Sequence, residues 1–181
     1  MATNYFAHFA LTNLLLPHLT DRVVTVSSQL HRRGNLQLDD LNWQTRRYNA
    51  LSAYDDSKLA LLLFSYELQR RLTAAGSRLR CIVAHPGIAT TNLAAHSSSG
   101  RINKLGFLLN DPEHGALPSL FAATEDIPGN SYVGPDGLAS IKGYPTVRKP
   151  AAKARDSRTA AALWDRTAQL TGTGSPLHTV A

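Results

Sequence analysis

The feature that most limits what this chain can fold into is a long helical pattern set between two short β-branched runs. Residues 22–28, with Val23, Val24, Thr25 and Val26, form one run, and residues 79–84, with Ile82 and Val83, form the other. Short apolar stretches of this kind suit buried parallel strands. Between them, residues 52–75 read as one helix stopped by Gly76, with Ser52 as N-cap and Asp55 and Asp56 favourably placed in the first turn. Two strands joined by a helical crossover pair in parallel.

The remainder continues the alternation. Residues 2–19 carry Phe6, Phe9, Ala10, Leu14, Leu16 and Leu19 in a helical pattern, with Pro17 near its end. A polar connection fills 29–51, with Gly34, Asp39 and Asp40 as turn residues. Residues 88–110 read as a loop, and 112–124 as a helix that Pro112 opens. A short strand is predicted near Tyr132 and Val133, a basic proline-containing connector over 145–155, and an amphipathic helix over 158–170. The succession implies an α/β fold with a parallel sheet. Residues 1–172 form one domain in this reading, and 173–181 a tail.

Composition removes several function classes. Hydrophobic residues at 43% against 18% charged exclude global disorder. The single cysteine, Cys81, supports neither a disulfide framework nor a cysteine-based zinc site, and its apolar surroundings predict a buried, inert thiol in a reducing compartment. The net charge of +6 is carried partly by doublets: Arg32-Arg33, Arg46-Arg47, Arg70-Arg71 and Arg148-Lys149. They are scattered and lie in no nucleic-acid motif, and aromatics are only 7%, so the doublets read as solvated surface and no nucleic-acid partner is expected. There is no signal-peptide pattern, and the longest apolar run, Leu59 to Phe64, falls far short of the roughly twenty residues that span a bilayer. The chain reads as soluble and cytoplasmic, without a membrane span. His8 and His85 read as packed or surface histidines, because no metal-ligand spacing is present.

The chemistry centres on Tyr54 and Lys58, four residues apart and so on one helix face. An ammonium beside a phenol favours the phenolate, which suits such a pair to general acid/base work. A Y-x-x-x-K spacing alone also describes an amphipathic surface pair. Here, however, the strand before it ends in Ser27-Ser28, and the strand after it ends in His85, Pro86, Gly87 and Ile88, with Thr91 just beyond. Ligands of open α/β sheets bind at such carboxyl ends.

This order resembles the catalytic half of the short-chain dehydrogenase/reductase family. Residues 3–12, with Asn4, are similar to the Asn-containing helix of its retinol-dehydrogenase-like branch, and so are the long segment from Ser28 to Tyr54 and the closing Leu163-Trp164 and Leu170-Thr171-Gly172. The fold implied is the C-terminal portion of a Rossmann-like doubly wound parallel sheet flanked by helices. The activity implied is hydride transfer between NAD or NADP and an alcohol or carbonyl substrate. By that resemblance Tyr54 exchanges the proton, Lys58 supports it and meets the nicotinamide ribose, Ser28 orients the carbonyl, and Asn4 holds a water. Pro86, Gly87, Ile88 and Thr91 would flank the nicotinamide. Bland readings stand beside these: Ser27 and Ser28 also simply end a strand, Asn4 also fits an N-cap or a solvent-facing amide, and Pro86-Gly87 also makes a tight turn.

Relative to the family pattern, no G-x-x-x-G-x-G run and no N-N-A-G-like segment occur. The expectation is a chain without the N-terminal cofactor-binding part, one sheet edge exposed, a marginal fold in isolation, and weak or absent dinucleotide affinity. The alternative is a non-catalytic module that dimerises through its Asn- and Tyr-bearing helices, since Leu59 and Leu61 to Phe64 surround the helix rather than forming one stripe.

Overall fold

The computed structural model describes residues 1–87 and 112–174. The loop predicted over 88–110 therefore lies outside the described residues, as does most of the tail.

Strand β1 (Arg22–Val26) pairs in parallel with β2 (Arg80–Ala84), Arg22 opposite Arg80 and Val26 opposite Ala84. Strand β3 (Tyr132–Pro135) lies parallel on the other side of β2, with Val83 opposite Tyr132. The predicted connector over 145–155 needs correcting, because it opens with a fourth strand, β4 (Pro145–Arg148), antiparallel to β3. Prolines at 145 and 150 argue against a central strand, but a terminal position on the edge of a sheet tolerates a missing N–H. The reversal is made locally: Asp136 accepts the Tyr144 N–H at 2.9 Å, and Gly143 takes φ 131°, which favours glycine. The sheet is thus mixed, in the order β1-β2-β3-β4.

Helix α1 (Ala7–Leu15) follows a π-helical turn over Ala2–Phe6. The crossover helix α2 (Ala50–Ala74) begins earlier than its sequence pattern suggests. Asn49, not Ser52, is the N-cap: its side chain accepts the Ser52 N–H at 2.9 Å. Asp55 and Asp56 consequently lie beyond the first turn and are buried rather than serving the helix dipole. Leu59, Leu61, Leu62, Leu63 and Phe64 are each at most 3% exposed. The helix packs between the sheet and α4 (Ser157–Thr171), so its all-round apolar run is covered within the chain and requires no partner. Phe9, Phe64 and Trp164 join α1, α2 and α4, with the Phe9 and Trp164 rings 4.8 Å apart. Helix α3 (Pro112–Thr124) covers the opposite face of the sheet, where Ile82, Ala84, Ala122 and Val133 form a second core. Helices on both faces of a largely parallel sheet are the doubly wound arrangement that the alternation predicts.

Cys81 is fully buried and burial pushes its thiol up to about 12, as befits an inert core residue. Among the described residues no helix is long and apolar enough to cross a membrane.

Candidate active site

The carboxyl end of β1 is bolted to the third turn of α2 by two reciprocal bonds. Ser27 Oγ donates to the Lys58 carbonyl at 2.8 Å, and Lys58 Nζ donates to the Val26 carbonyl at 3.2 Å. Both bonds join a side chain of one element to the backbone of the other. Ser27 is buried, so its hydroxyl needs such a partner; Lys58 is half-buried and keeps further N–H groups for a ligand. Burial lowers the Lys58 ammonium below the ordinary lysine value. Its Nζ lies 5.5 Å from the Tyr54 ring centroid, one turn back on the same face. Ser27 rather than Ser28 makes the side-chain contact to this turn, and among the described residues no hydrogen bond joins Ser28 to Tyr54 or Lys58. The Ser28 hydroxyl instead accepts the Leu30 N–H at 3.2 Å, capping the 3-10 turn Gln29–Arg32.

Asn4 is attached to the same turn from the other side. Its Nδ2 donates to Ser57 Oγ at 3.2 Å, and Ser57 Oγ donates to the Tyr54 carbonyl at 2.7 Å. Asn4 is therefore neither an N-cap nor a solvent-facing amide. The segment leading into α2 is held by buried carboxylates: Asp40 accepts the Gln44 N–H at 2.6 Å, and Arg46 bridges Asp40 and Asp56 at 3.6 and 3.1 Å. Arg33 pairs with Asp55 at 3.1 Å. Gly34 is required here by close approach, because a Cβ would stand 2.7 Å from the Asp55 carbonyl oxygen and 2.8 Å from Leu59 Cβ.

After β2 come Pro86 and Gly87, the last residues described before position 112. Gly87 has φ 76°, and its N–H donates to His85 Nδ1 at 3.2 Å. Ile88 and Thr91 lie outside the described residues. His85 is a packed histidine: its ring stacks on Tyr132 with centroids 5.2 Å apart, and a Cβ at Gly134 would overlap it.

His31 is the residue that sequence reasoning missed. It is fully buried, its Nδ1 bonds the Ser28 carbonyl at 2.7 Å, and its Nε2 accepts the Ala151 N–H at 3.0 Å. An Nε2 that accepts leaves the proton on Nδ1, so the ring is neutral and holds the backbone of Ser28. The only sequence signal was a histidine three residues after a strand-ending serine. His31 also packs edge-on against Tyr132, so His31, Tyr132 and His85 form a buried column under the ends of β1 and β2.

Burial pushes His31 and His85 each down to about 4. Unfolded histidines titrate near 6.5, so unfolding takes up protons between the two values. Their contribution to stability is therefore full above about pH 6.5 and is lost as the pH falls towards about 4, amounting to about 2 kcal/mol per histidine by about pH 5. Urea midpoints taken at about pH 7.5 and pH 5 should show this loss. Replacing His31 with Gln should remove its share of the slope; a slope unchanged by that variant would mean that the ring is not held neutral.

Comparison with known proteins agrees with this fold. The chain is 38% identical to retinol dehydrogenase 13 of Homo sapiens over 189 residues, covering 96% of this chain and 54% of that protein. It is 44% identical to polyprenol dehydrogenase of Homo sapiens over 132 residues, covering 66% of this chain and 40% of that protein. A solved structure of an uncharacterized protein from Mycobacterium paratuberculosis superposes with a TM-score of 0.82 at 50% identity, covering 97% of this chain and 59% of that one. The chain belongs to the short-chain dehydrogenase/reductase family. It spans about half the length of the curated relatives it matches. No family model matches it. Within this short-chain dehydrogenase/reductase fold, the Tyr54/Lys58 turn and the Pro86-Gly87 turn stand at the carboxyl ends of the parallel strands β1 and β2, where ligands of open α/β sheets bind. The donor set also suits a dinucleotide: a phenol and an ammonium with spare N–H groups are fit partners for ribose hydroxyls.

Proposed function

We propose that the chain carries the proton-transfer half of an oxidoreductase that interconverts an alcohol and a carbonyl compound with NAD or NADP. The observation that carries this reading is the fixed Lys58 ammonium, bonded to the last carbonyl of β1 beside Tyr54 and one strand-end away from Ser28. Bound NAD or NADP would supply the hydride chemistry, held by Lys58 and Tyr54 with Pro86, Gly87, Ile88 and Thr91 along the nicotinamide. Tyr54 donates a proton to the substrate oxygen in reduction and accepts it in oxidation. Lys58 stabilises the phenolate that this leaves, at short range in a partly desolvated setting. Ser28 orients the substrate oxygen by donating its hydroxyl proton, which the bond accepted from the Leu30 N–H leaves available. Asn4, whose Nδ2 is engaged by Ser57, uses its oxygen to hold a relay water.

The names of the relatives, retinol dehydrogenase and polyprenol dehydrogenase, support an alcohol/carbonyl substrate for this chain. Fluorescence titration of NADH and NADPH against the 181-residue chain tests the reading. Saturable binding of either, weak but specific, is expected. Binding of neither would sink it in favour of a non-catalytic interaction module.

A further inference from the structure

Two of the basic doublets, far apart in sequence, meet in space. Arg32 comes from the turn after Ser28, and Arg148 and Lys149 from the end of β4; Arg32 Nη2 donates to the Lys149 carbonyl at 2.8 Å. Together they line an open cleft of about 650 Å³ with Gln29, Tyr132 and Ser140. We propose that this cleft is a subsite for an anionic group, a phosphate or a carboxylate, carried by the substrate. The proposal rests on the oxidoreductase reading for the word substrate, and on the cleft itself for the anion.

The charges are unspent. Among the described residues, Arg33, Arg46, Arg70, Arg71 and Arg80 each lie within ion-pair distance of a carboxylate, whereas Arg32, Arg148 and Lys149 do not. Three cations gathered without a counter-charge repel one another, and an anion relieves that cost. They are also held in place. Arg148 Nε donates to Ser140 Oγ at 3.1 Å, Arg32 Nε donates to Gln29 Oε1 at 3.3 Å, and Gln29 Nε2 donates to the Ala139 carbonyl at 3.0 Å. Ala139 and Ser140 both take left-handed backbone conformations, φ 50° and 53°, uncommon for residues with a side chain. That conformation brings the Ser140 hydroxyl to Arg148. The Tyr132 hydroxyl donates to Gln29 Oε1 at 3.4 Å and so helps to fix the Gln29 side chain in the floor of the cleft. Arginine forks and hydroxyls are the donors that phosphate and carboxylate recognition uses.

The position gives the subsite its function. Gln29 directly follows Ser28, and His31, which holds the Ser28 carbonyl, touches Tyr132. A substrate whose oxygen meets Ser28 could therefore lay a charged end in the cleft. The positive field also reaches the buried column, since Arg32 and Arg148 both add to the lowering of His85.

The test uses the full chain, its Arg148→Gln and Lys149→Gln variants, and inorganic phosphate or acetate at ionic strength held constant with chloride. Lys149 is exposed, so its variant does not put the fold at risk. Phosphate, acetate or both should raise the Tm of the parent saturably, by about 4 °C or more, and the rise should be largely lost in both variants; which anion works assigns phosphate or carboxylate. No saturable rise over chloride, or the same rise in both variants, overturns the subsite. In a second arm, a hydroxyalkyl phosphate or hydroxyalkyl carboxylate is compared with its uncharged parent alcohol. The variants should raise KM for the charged substrate by about tenfold and leave the neutral one unchanged. Anion stabilisation without turnover of any alcohol sinks the oxidoreductase reading and leaves the anion subsite. Turnover of the charged alcohol that both variants leave untouched sinks the subsite and leaves that reading.

Discussion

Replacing Tyr54 with Phe should lower turnover of an alcohol or carbonyl substrate by about 10²–10⁴-fold, the usual worth of a positioned general acid/base. The substitution removes a single oxygen. The fold does not depend on it: among the described residues the Tyr54 hydroxyl has no hydrogen bond, and the bond that Ser57 makes is to the Tyr54 backbone carbonyl, which phenylalanine keeps. The urea midpoint should therefore stay close to that of the parent, NADH or NADPH affinity should fall only by the ribose contact that the phenol makes, and the loss should fall on kcat more than on substrate KM. A variant that retained turnover within about threefold, where a tenfold change corresponds to about 1.4 kcal/mol, would show that another group moves the proton.

Replacing Gln69 with Leu should cost about 2–6 kcal/mol of stability, because two buried backbone groups would each lose a partner at about 1–3 kcal/mol. Gln69, on α2, behaves like a short piece of neighbouring strand. Its Oε1 accepts the Cys81 N–H at 2.7 Å and its Nε2 donates to the Leu79 carbonyl at 3.1 Å. Strand β3 pairs with β2 only from Val83 onward, so the lower half of β2 is completed by this side chain and by the Asn130 N–H, which donates to the Cys81 carbonyl at 2.8 Å. Leucine fills a similar volume but can neither accept nor donate. The urea midpoint should fall with the m-value unchanged. A loss below about 1 kcal/mol would mean that these backbone groups find other partners.

The alternation of strands and helices was legible because periodicity is a local property: the β-branched runs became β1 and β2, and the long apolar pattern became α2. The Tyr54/Lys58 relation was legible for the same reason, as helical spacing sets it. What escaped depends on partners far along the chain. Strand β4 was hidden by its flanking prolines, which only an edge position tolerates. His31 carries no pattern of its own, and its bonds to Ala151 and Tyr132 cross more than half the chain. Arg32 and Lys149 are separated by 117 positions, so no window of sequence joins the two doublets. The face on which Ser27 lies could not be read either, since alternation says only that Ser27 and Ser28 point opposite ways.

The reciprocal bonds between β1 and α2 have a mechanical consequence. Sliding the helix along the strand, or tilting it away, would break both the Ser27 and the Lys58 bond together, so strand end and Tyr54/Lys58 turn are coupled in their motion. Accommodation of substrates of different size must then come from outside this unit, and the partly exposed edge strand β4 is a better place for it than the buried β3.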